Sequence, residues 1–196
     1  MRPPGLLVAG VLFAVFVAPL RPDLQAQPTS ETERNRAVVT RFYDLVNQGD
    51  WQQAAELFAP DVRHHLGTWR DQGSAEVIVA GREVLKSNLE DLARTFPDRK
   101  AEIIGMVADA DTVVVRSRAS GTHRGVGTKR VMGGFLVGLP PTGKHFQVQH
   151  MHWYVLHDGL IVDHYASRDD LGMLQQLGVL PTPPREEDKA RAAPAR

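Results

Sequence analysis

One short ribbon of the sequence, from His150 to Asp170, concentrates side chains that can transfer protons. It reads HMHWYVLHDGLIVDHYASRDD and contains four histidines, two tyrosines and four aspartates. Imidazole and carboxyl groups act as general acids and bases when their surroundings tune their pKa values. The ribbon is therefore a candidate reaction site, and its strand pattern decides which of these groups can act together.

The dipeptide Asp158-Gly159 predicts that the ribbon is a β-hairpin, because Asp-Gly tolerates the positive φ angles of a type I′ turn. Pairing His157 with Leu160 sets a register in which Tyr154 faces Asp163 and His152 faces Tyr165. One face then carries His150, His152, Tyr154, Asp163, Tyr165, Ser167 and Asp169. The other face carries Met151, Trp153, Val155, Val162 and His164.

Two arrangements fit these faces. The polar face is either an ordinary solvated side of a half-buried sheet, or it lines a cavity while the apolar face is buried against a second subunit. Exposed strand faces usually carry long charged residues rather than tyrosine beside histidine, which favours the cavity. The apolar stripe of Met151, Trp153, Val155 and Val162 then predicts a homodimer formed through the outer sheet face.

The rest of the chain is predicted to be helical first and β-stranded afterwards. Apolar residues at helical spacing indicate helices over 31–46, 51–58, 81–96 and 170–177. A period of two indicates strands over 103–107, 112–118, 146–156 and 160–166. This order predicts an α+β fold in which N-terminal helices pack over one face of a curved antiparallel sheet.

Both ends of the chain differ from the part between them. Residues 1–26 combine an early Arg2 with an apolar run and a small residue at Ala26, which is typical of a cleaved signal peptide. A membrane anchor is the alternative, although the run is short for one. We therefore expect a secreted or periplasmic protein with one domain over 27–180 and a disordered, proline-broken tail over 181–196.

Charge and cysteine content exclude other classes. The chain has 23 basic and 23 acidic residues, and such a balanced surface does not favour nucleic-acid binding. It has no cysteine, so an exported form is held together by packing without disulfides.

Several segments together resemble the SnoaL-like polyketide cyclases, also called ester cyclases, of the NTF2-like superfamily. They are FYDLVNQGDWQQAAELFAPDVRHH, FPDRKAEIIGMVADADTVVVRSRASGTHRG, LPPTGK and DGLIVDHYASRDDLGMLQQLG, in that order. The resemblance implies a cone-shaped α+β fold whose curved sheet and helices enclose a pocket. It also implies cofactor-free acid/base chemistry, an aldol-type cyclisation or isomerisation, on a small hydrophobic carbonyl compound.

The resemblance also implies roles for individual residues. By its pattern Asp169 is the general acid/base, His152 assists it and Tyr165 shapes the pocket. The predicted register places these three on one face. His64 and His65 are adjacent, so only one of them can point inward. The remaining candidates for substrate binding are His123, His150, Tyr154, His65, Trp69 and Tyr43.

Two alternatives stay open from the sequence. The same fold can bind a small ligand without turnover, its polar groups only satisfying one another. His150 and His152, two residues apart on a strand, can also share a metal ion with His157 or Asp163. That metal site is disfavoured because His157 belongs to the opposite face, and we expect neither a metal nor a cofactor.

Overall fold

Three stretches of the chain, residues 30–68, 76–129 and 135–183, are described by the computed structural model. The predicted signal peptide, Trp69 and all but the first residues of the predicted tail lie outside the described residues. No helix within the described stretches is long and apolar enough to cross a membrane.

The predicted helices are confirmed, with small changes at their ends. The Ser30 side chain accepts a hydrogen bond from the backbone N–H of Glu33 at 3.2 Å and begins the first helix. Asp50 caps the second helix in the same way, through the backbone N–H of Gln53 at 3.0 Å. The four helices are α1 (Glu31–Gln48), α2 (Trp51–Glu56), α3 (Arg82–Thr95) and α4 (Asp170–Gln176).

Six strands form one sheet in the order β2-β1-β6-β5-β4-β3. They are β1 (Phe58–Thr68), β2 (Glu76–Ala80), β3 (Lys100–Asp109), β4 (Thr112–Thr122), β5 (His145–His157) and β6 (Leu160–Arg168). Helices packed on one side of a curved sheet confirm the predicted α+β class.

The four predicted strands, β3 to β6, pair antiparallel as expected, and the sheet also contains β1, which runs parallel to β6. The N-terminal half also holds more strand than expected: the helix predicted to reach Phe58 ends at Glu56, and β1 begins at Phe58. Pro60 lies near the start of this strand, where proline is tolerated. The chain then passes through β2, α3 and the β3–β5 strands before it returns beside β1 as β6.

A first hydrophobic core lies between α1 and the inner face of the sheet, with Phe42, Leu45, Phe58 and Tyr154 among its buried members. A second core lies where α4 meets the sheet and the end of α3, around Phe96 and Phe146. Between these cores the inner face is left free to line a cavity.

The β5–β6 hairpin has the predicted turn but not the predicted register. Asp158 and Gly159 have φ angles of 48° and 78°, and His157 pairs with Leu160 as expected. The register then shifts between Val155 and Leu156, so that Val155 pairs with Asp163. One extra residue in β6 turns every later side chain of that strand to the other face.

The bulge corrects the predicted faces of β6. Tyr165 pairs with Trp153, and Ser167 pairs with Met151, on the outer side of the sheet. The inner side instead receives three residues that the predicted register did not place there: His164, Ala166 and Arg168. Val162, predicted in the outer apolar stripe, packs partly buried against the first core.

Candidate active site

A cavity lies between the helices α1 and α3 and the inner face of the sheet. It encloses about 890 Å³ of space when the open solvent at its mouth is included. Leucine, valine, alanine and phenylalanine side chains supply its apolar walls. Its polar lining consists of Tyr43, His64, Asn88, Arg99, Ser117, His150, His152, Tyr154, His164 and Arg168.

Three histidines from three adjacent strands form a hydrogen-bonded chain along this wall. His152 Nδ1 lies 3.0 Å from His164 Nε2, and His164 Nδ1 lies 3.4 Å from His64 Nδ1. The parallel register that pairs His64 with His164 brings the last two rings together. Since neutral imidazole has one donor and one acceptor nitrogen, the chain can pass a proton by exchanging tautomers.

Burial keeps these imidazoles neutral. It lowers the pKa of His152 to about 3, with His150, Arg168 and Arg99 adding to the effect through their positive charges. Burial lowers the pKa of His64 to about 4, and it lowers the pKa of His164 well below its ordinary value. A neutral imidazole can accept a proton, so the chain is in the state that a general base requires.

Two tyrosines line the cavity beside the histidine chain. The Tyr154 hydroxyl donates to the Tyr43 hydroxyl at 3.4 Å. The Tyr154 ring stacks on His164, with 4.8 Å between ring centroids, and on His152, with 6.0 Å. Burial raises the pKa of both phenols, so they stay protonated and can donate hydrogen bonds.

Both charged side chains of the lining are arginines, and no aspartate or glutamate of the described residues lines the cavity. Arg168 reaches the carboxylate of Asp170 at 3.3 Å. Arg99 forms no ion pair with the described residues, and burial lowers its pKa, which the nearby Tyr43 and Tyr154 phenols partly oppose. Guanidinium remains charged in proteins, so the cavity is electropositive.

Of the residues that the family resemblance assigned, only His152 lies in the cavity. Asp169 is exposed and accepts a hydrogen bond from the Gly172 backbone N–H at 2.8 Å, which makes it the N-cap of α4. Its predicted place in a dry pocket is wrong. Tyr165 lies on the outer face and is 40% exposed, because the bulge reverses its direction.

His65 also lies on the outer face, while its neighbour His64 points inward. The His65 ring stacks on Tyr165 at 3.9 Å between centroids, and its Nε2 lies 2.9 Å from Asp163 Oδ1. Arg63 donates to the other oxygen of this carboxylate at 2.6 Å. His65 was therefore the wrong member of the adjacent pair to predict as a pocket residue.

His123 follows β4 and holds a loop instead of lining the cavity. Its Nδ1 accepts a hydrogen bond from the Thr142 backbone N–H at 3.2 Å, and its ring packs on Phe96. His123 was predicted to bind substrate, and the structure gives it this loop contact instead.

The cavity thus contains four of the predicted residues, Tyr43, His150, His152 and Tyr154. Six further polar residues were missed: His64, Asn88, Arg99, Ser117, His164 and Arg168. Arg99 follows the Pro97 turn and immediately precedes β3, and the places of His64, His164 and Arg168 depend on the register of β1 and β6. The adjacent pair His64-His65 was the only signal that one histidine of β1 had to face inward.

Within the described stretches no three histidine, aspartate or glutamate side chains come together as a metal ion would require. Asp163 and His157, proposed to complete a site with His150 and His152, do not line the cavity. The predicted alternative of a shared metal therefore has no third ligand in the arrangement described.

A helix-covered curved sheet with a polar cavity on its inner face defines the NTF2-like class of α+β proteins. The chain belongs to the SnoaL-like polyketide cyclase family, whose model matches residues 36–177. This membership supports a function of the cyclase or isomerase type.

Individual relatives agree with the family. The aklanonic acid methyl ester cyclase AcmA of Streptomyces galilaeus is 28% identical over 144 residues, covering 72% of this chain and 89% of the relative. The protein IdmH from Streptomyces antibioticus is 29% identical in sequence, and its wild-type crystal structure matches this chain with a TM-score of 0.57. The match covers 74% of this chain and 98% of IdmH. AclR from Streptomyces galilaeus, at 22% identity and a TM-score of 0.62, covers 82% of this chain and 91% of that chain and shows the shared fold alone.

Proposed function

We propose that the protein catalyses a cofactor-free, aldol-type ring closure or isomerisation of a small hydrophobic carbonyl compound, with His152 as the proton-transferring group. The observation that carries this proposal is the His152–His164–His64 chain, which ends in an apolar-walled cavity. The Nδ1 of His152 is bonded to His164, so its Nε2 is the atom available to a substrate.

The chemistry follows from the neutral state of this chain. His152 Nε2 takes a proton from a carbon between two carbonyl groups, and the C–H electron pair becomes an enolate. The enolate carbon then attacks a further carbonyl group of the same molecule and forms the ring bond. The displaced π electrons become an alkoxide, which recovers the proton. Positioned acid/base groups of this kind contribute about 10²- to 10⁴-fold to a rate.

The hydrogen-bonded imidazoles help His152 to accept a proton, because they can carry the resulting positive charge. As Nε2 gains a proton, Nδ1 can release its proton to His164, and His164 can pass one to His64. The positive charge is then moved away from the reacting carbon, and it returns when the alkoxide is protonated. The neighbouring Tyr154 and Tyr43 hydroxyls are donors that can bind the substrate's carbonyl oxygens.

The test is hydrogen–deuterium exchange at the methylene of methyl benzoylacetate, a neutral β-keto ester, followed by NMR. We expect the full-length protein to accelerate exchange above the buffer rate. His152→Phe should lower the catalysed rate by about 10²-fold or more. The control is His157→Phe, the same change at an exposed turn residue, which should keep the rate.

A second function, ligand binding without turnover, is favoured by one observation. Among the described residues the cavity offers no carboxylate, and a pKa of about 3 makes His152 a weak base. Under this alternative the wild-type protein binds the ester but gives no exchange above buffer, and His152→Phe changes only the affinity.

We also propose that the protein is a homodimer formed through the outer face of the sheet. A row of residues crosses four strands there, with Val107, Val114, Trp153 and Tyr165 paired in sequence. Trp153 is 51% exposed and Val107 is 70% exposed, which is unusual for a contiguous apolar row on a monomer.

Export of the protein is a further proposal, supported by the basic start, apolar run and small residue of positions 1–26. Mass spectrometry of protein secreted by a bacterial host should give a mature chain that begins near Gln27. Recovery of a chain that retains Met1 in the cell envelope would support the membrane-anchor alternative instead.

A further inference from the structure

Three side chains of the cavity lining present a buried nitrogen to which no described residue is hydrogen-bonded. These atoms are His64 Nε2, His150 Nε2 and Arg99 Nε. Buried polar groups in folded proteins are nearly always paired, so such a group marks a place where something else binds. Because all three belong to one cavity, a single ligand there can pair with them.

Arg99 limits the choice most strongly. Its Nε can only donate a hydrogen bond, so the ligand must offer an acceptor atom. Its charge is not balanced by a carboxylate of the described residues, whereas the Arg168 charge is balanced by Asp170. A guanidinium in the wall of an apolar cavity is unfavourable without a counter-ion, and an anionic ligand group removes that cost.

The surroundings of Arg99 indicate which anion fits. Its charge helps, after burial and Arg168, to lower the pKa of His150 to about 4, so the nearby imidazole is neutral. One uncompensated guanidinium beside neutral donors matches a single negative charge. The planar fork of N–H groups can bind the two oxygens of a carboxylate, whose single charge suits this site better than a multiply charged phosphate does.

We infer that the ligand of this cavity carries a free carboxylate, which Arg99 binds with His150 as a second contact. The inference rests on the proposed function, since it names the substrate class of the same site: a hydrophobic carbonyl compound that is also an acid. The related cyclase AcmA is named for a methyl ester, in which that charge is absent. The two proteins are then expected to differ in the group beside the reacting carbons.

Binding of two matched probes, 2-naphthoate and 2-naphthamide, tests the inference by isothermal titration calorimetry on the full-length protein. The probes have nearly the same size and shape and differ in charge. Wild-type protein should bind the acid at least about tenfold more tightly than the amide. Arg99→Gln should reduce this ratio to about twofold or less, and Arg99→Lys should give an intermediate ratio because the charge remains but the fork is lost.

The matched control is Arg116→Gln, the same substitution at an exposed arginine on the outer face, and it should keep the wild-type ratio. Equal binding of acid and amide by the wild type, no detectable binding of the acid, or an unchanged ratio in Arg99→Gln would each overturn the inference. If Arg99→Gln does not fold, the ratio in Arg99→Lys decides.

Failure of this inference differs from failure of the proposed function. Methyl benzoylacetate is uncharged, so its exchange reports on His152 and not on a carboxylate site. If the protein catalyses hydrogen–deuterium exchange in the ester but does not prefer the acid, the proposed function stands and the carboxylate inference is overturned. A protein that prefers the acid but does not exchange the ester is an acid-binding protein without turnover.

Discussion

The two faces of the sheet place the same residue types in opposite environments. His64 and His65 are neighbours on β1, yet His64 contacts another imidazole on the inner face while His65 contacts the Asp163 carboxylate on the outer face. Tyr154 and Trp153 are neighbours on β5, and they are 1% and 51% exposed. Strand alternation alone separates these environments.

The difference between the faces is one of charge compensation. On the outer face, burial alone would raise the pKa of Asp163, but Arg63 and His65 outweigh it and hold that pKa below its ordinary value. On the inner face His64, His152 and His164 are hydrogen-bonded to one another and to no carboxylate of the described residues, and burial makes them neutral. The outer face is therefore a set of balanced contacts, whereas the inner face is left with unbalanced groups that a ligand can satisfy.

Removing a large side chain from each face should give the largest contrast in stability. Tyr154→Ala removes a fully buried ring that packs against Phe42 and His164, and should lower the free energy of unfolding by about 3–5 kcal/mol. Val107→Ala, on the outer face and 70% exposed in a single chain, should change the unfolding free energy of the monomer by less than about 0.5 kcal/mol. Urea unfolding measures both, and equal losses would remove the distinction between the faces.

Acid should destabilise the protein through the inner face. Burial lowers the pKa of His150 from 6.5 to about 4, so the folded state resists a proton that the unfolded state accepts. Stability is full above pH 6.5 and falls as the pH drops from 6.5 to about 4, by about 1.4 kcal/mol per pH unit for each such histidine.

His150→Gln isolates one of these protons, because glutamine does not titrate. The slope of unfolding free energy against pH between 6 and 4.5 should be smaller than the wild-type slope by about 1.4 kcal/mol per unit. An identical slope in urea titrations of the two proteins would mean that His150 is protonated while folded. The carboxyl groups with lowered pKa values, such as Asp163, act in a lower window, below about pH 4.

Substitutions of Asp169 test the comparison at the end of β6, where the chain leaves the sheet. As an N-cap, it should tolerate replacement by Asn, while Asp169→Ala should cost about 1 kcal/mol of stability through the loss of its bond to the Gly172 N–H. Exchange of methyl benzoylacetate should persist in both variants. Loss of exchange in a stable Asp169→Asn protein would restore this residue as the catalytic carboxylate.

The smallest expected effect on the stability of a single chain is at the outer face itself. Trp153→Glu places a charge in the middle of the exposed apolar row and should convert dimers into monomers, as seen by size-exclusion chromatography with light scattering. Because Trp153 is half exposed, the unfolding free energy of the monomer should change by no more than about 0.5 kcal/mol. A variant that stays dimeric would place the subunit interface elsewhere.

Local patterns predicted most of the elements. Ser30, Asp50 and Pro97 mark helix ends through their own backbone and side-chain chemistry, so the helices were found from the sequence. The hairpin turn was found for the same reason, because Asp158-Gly159 carries its φ angles with it. The sequence did not predict that β1 and β2 belong to the sheet. Short apolar runs, in β1 beside a proline, are compatible with several structures.

The sequence by itself determined the helices, the hairpin turn, the α+β class and the inward direction of His150, His152 and Tyr154, because alternation along β5 is unbroken. Only the tertiary structure decided that His164 and Arg168 face inward and that Tyr165 faces outward. That outcome depends on one extra residue in β6, and a strand can accept a bulge at many positions with little local preference. The position is selected when β6 pairs with β5 and β1 together, which is a contact between residues far apart in the chain.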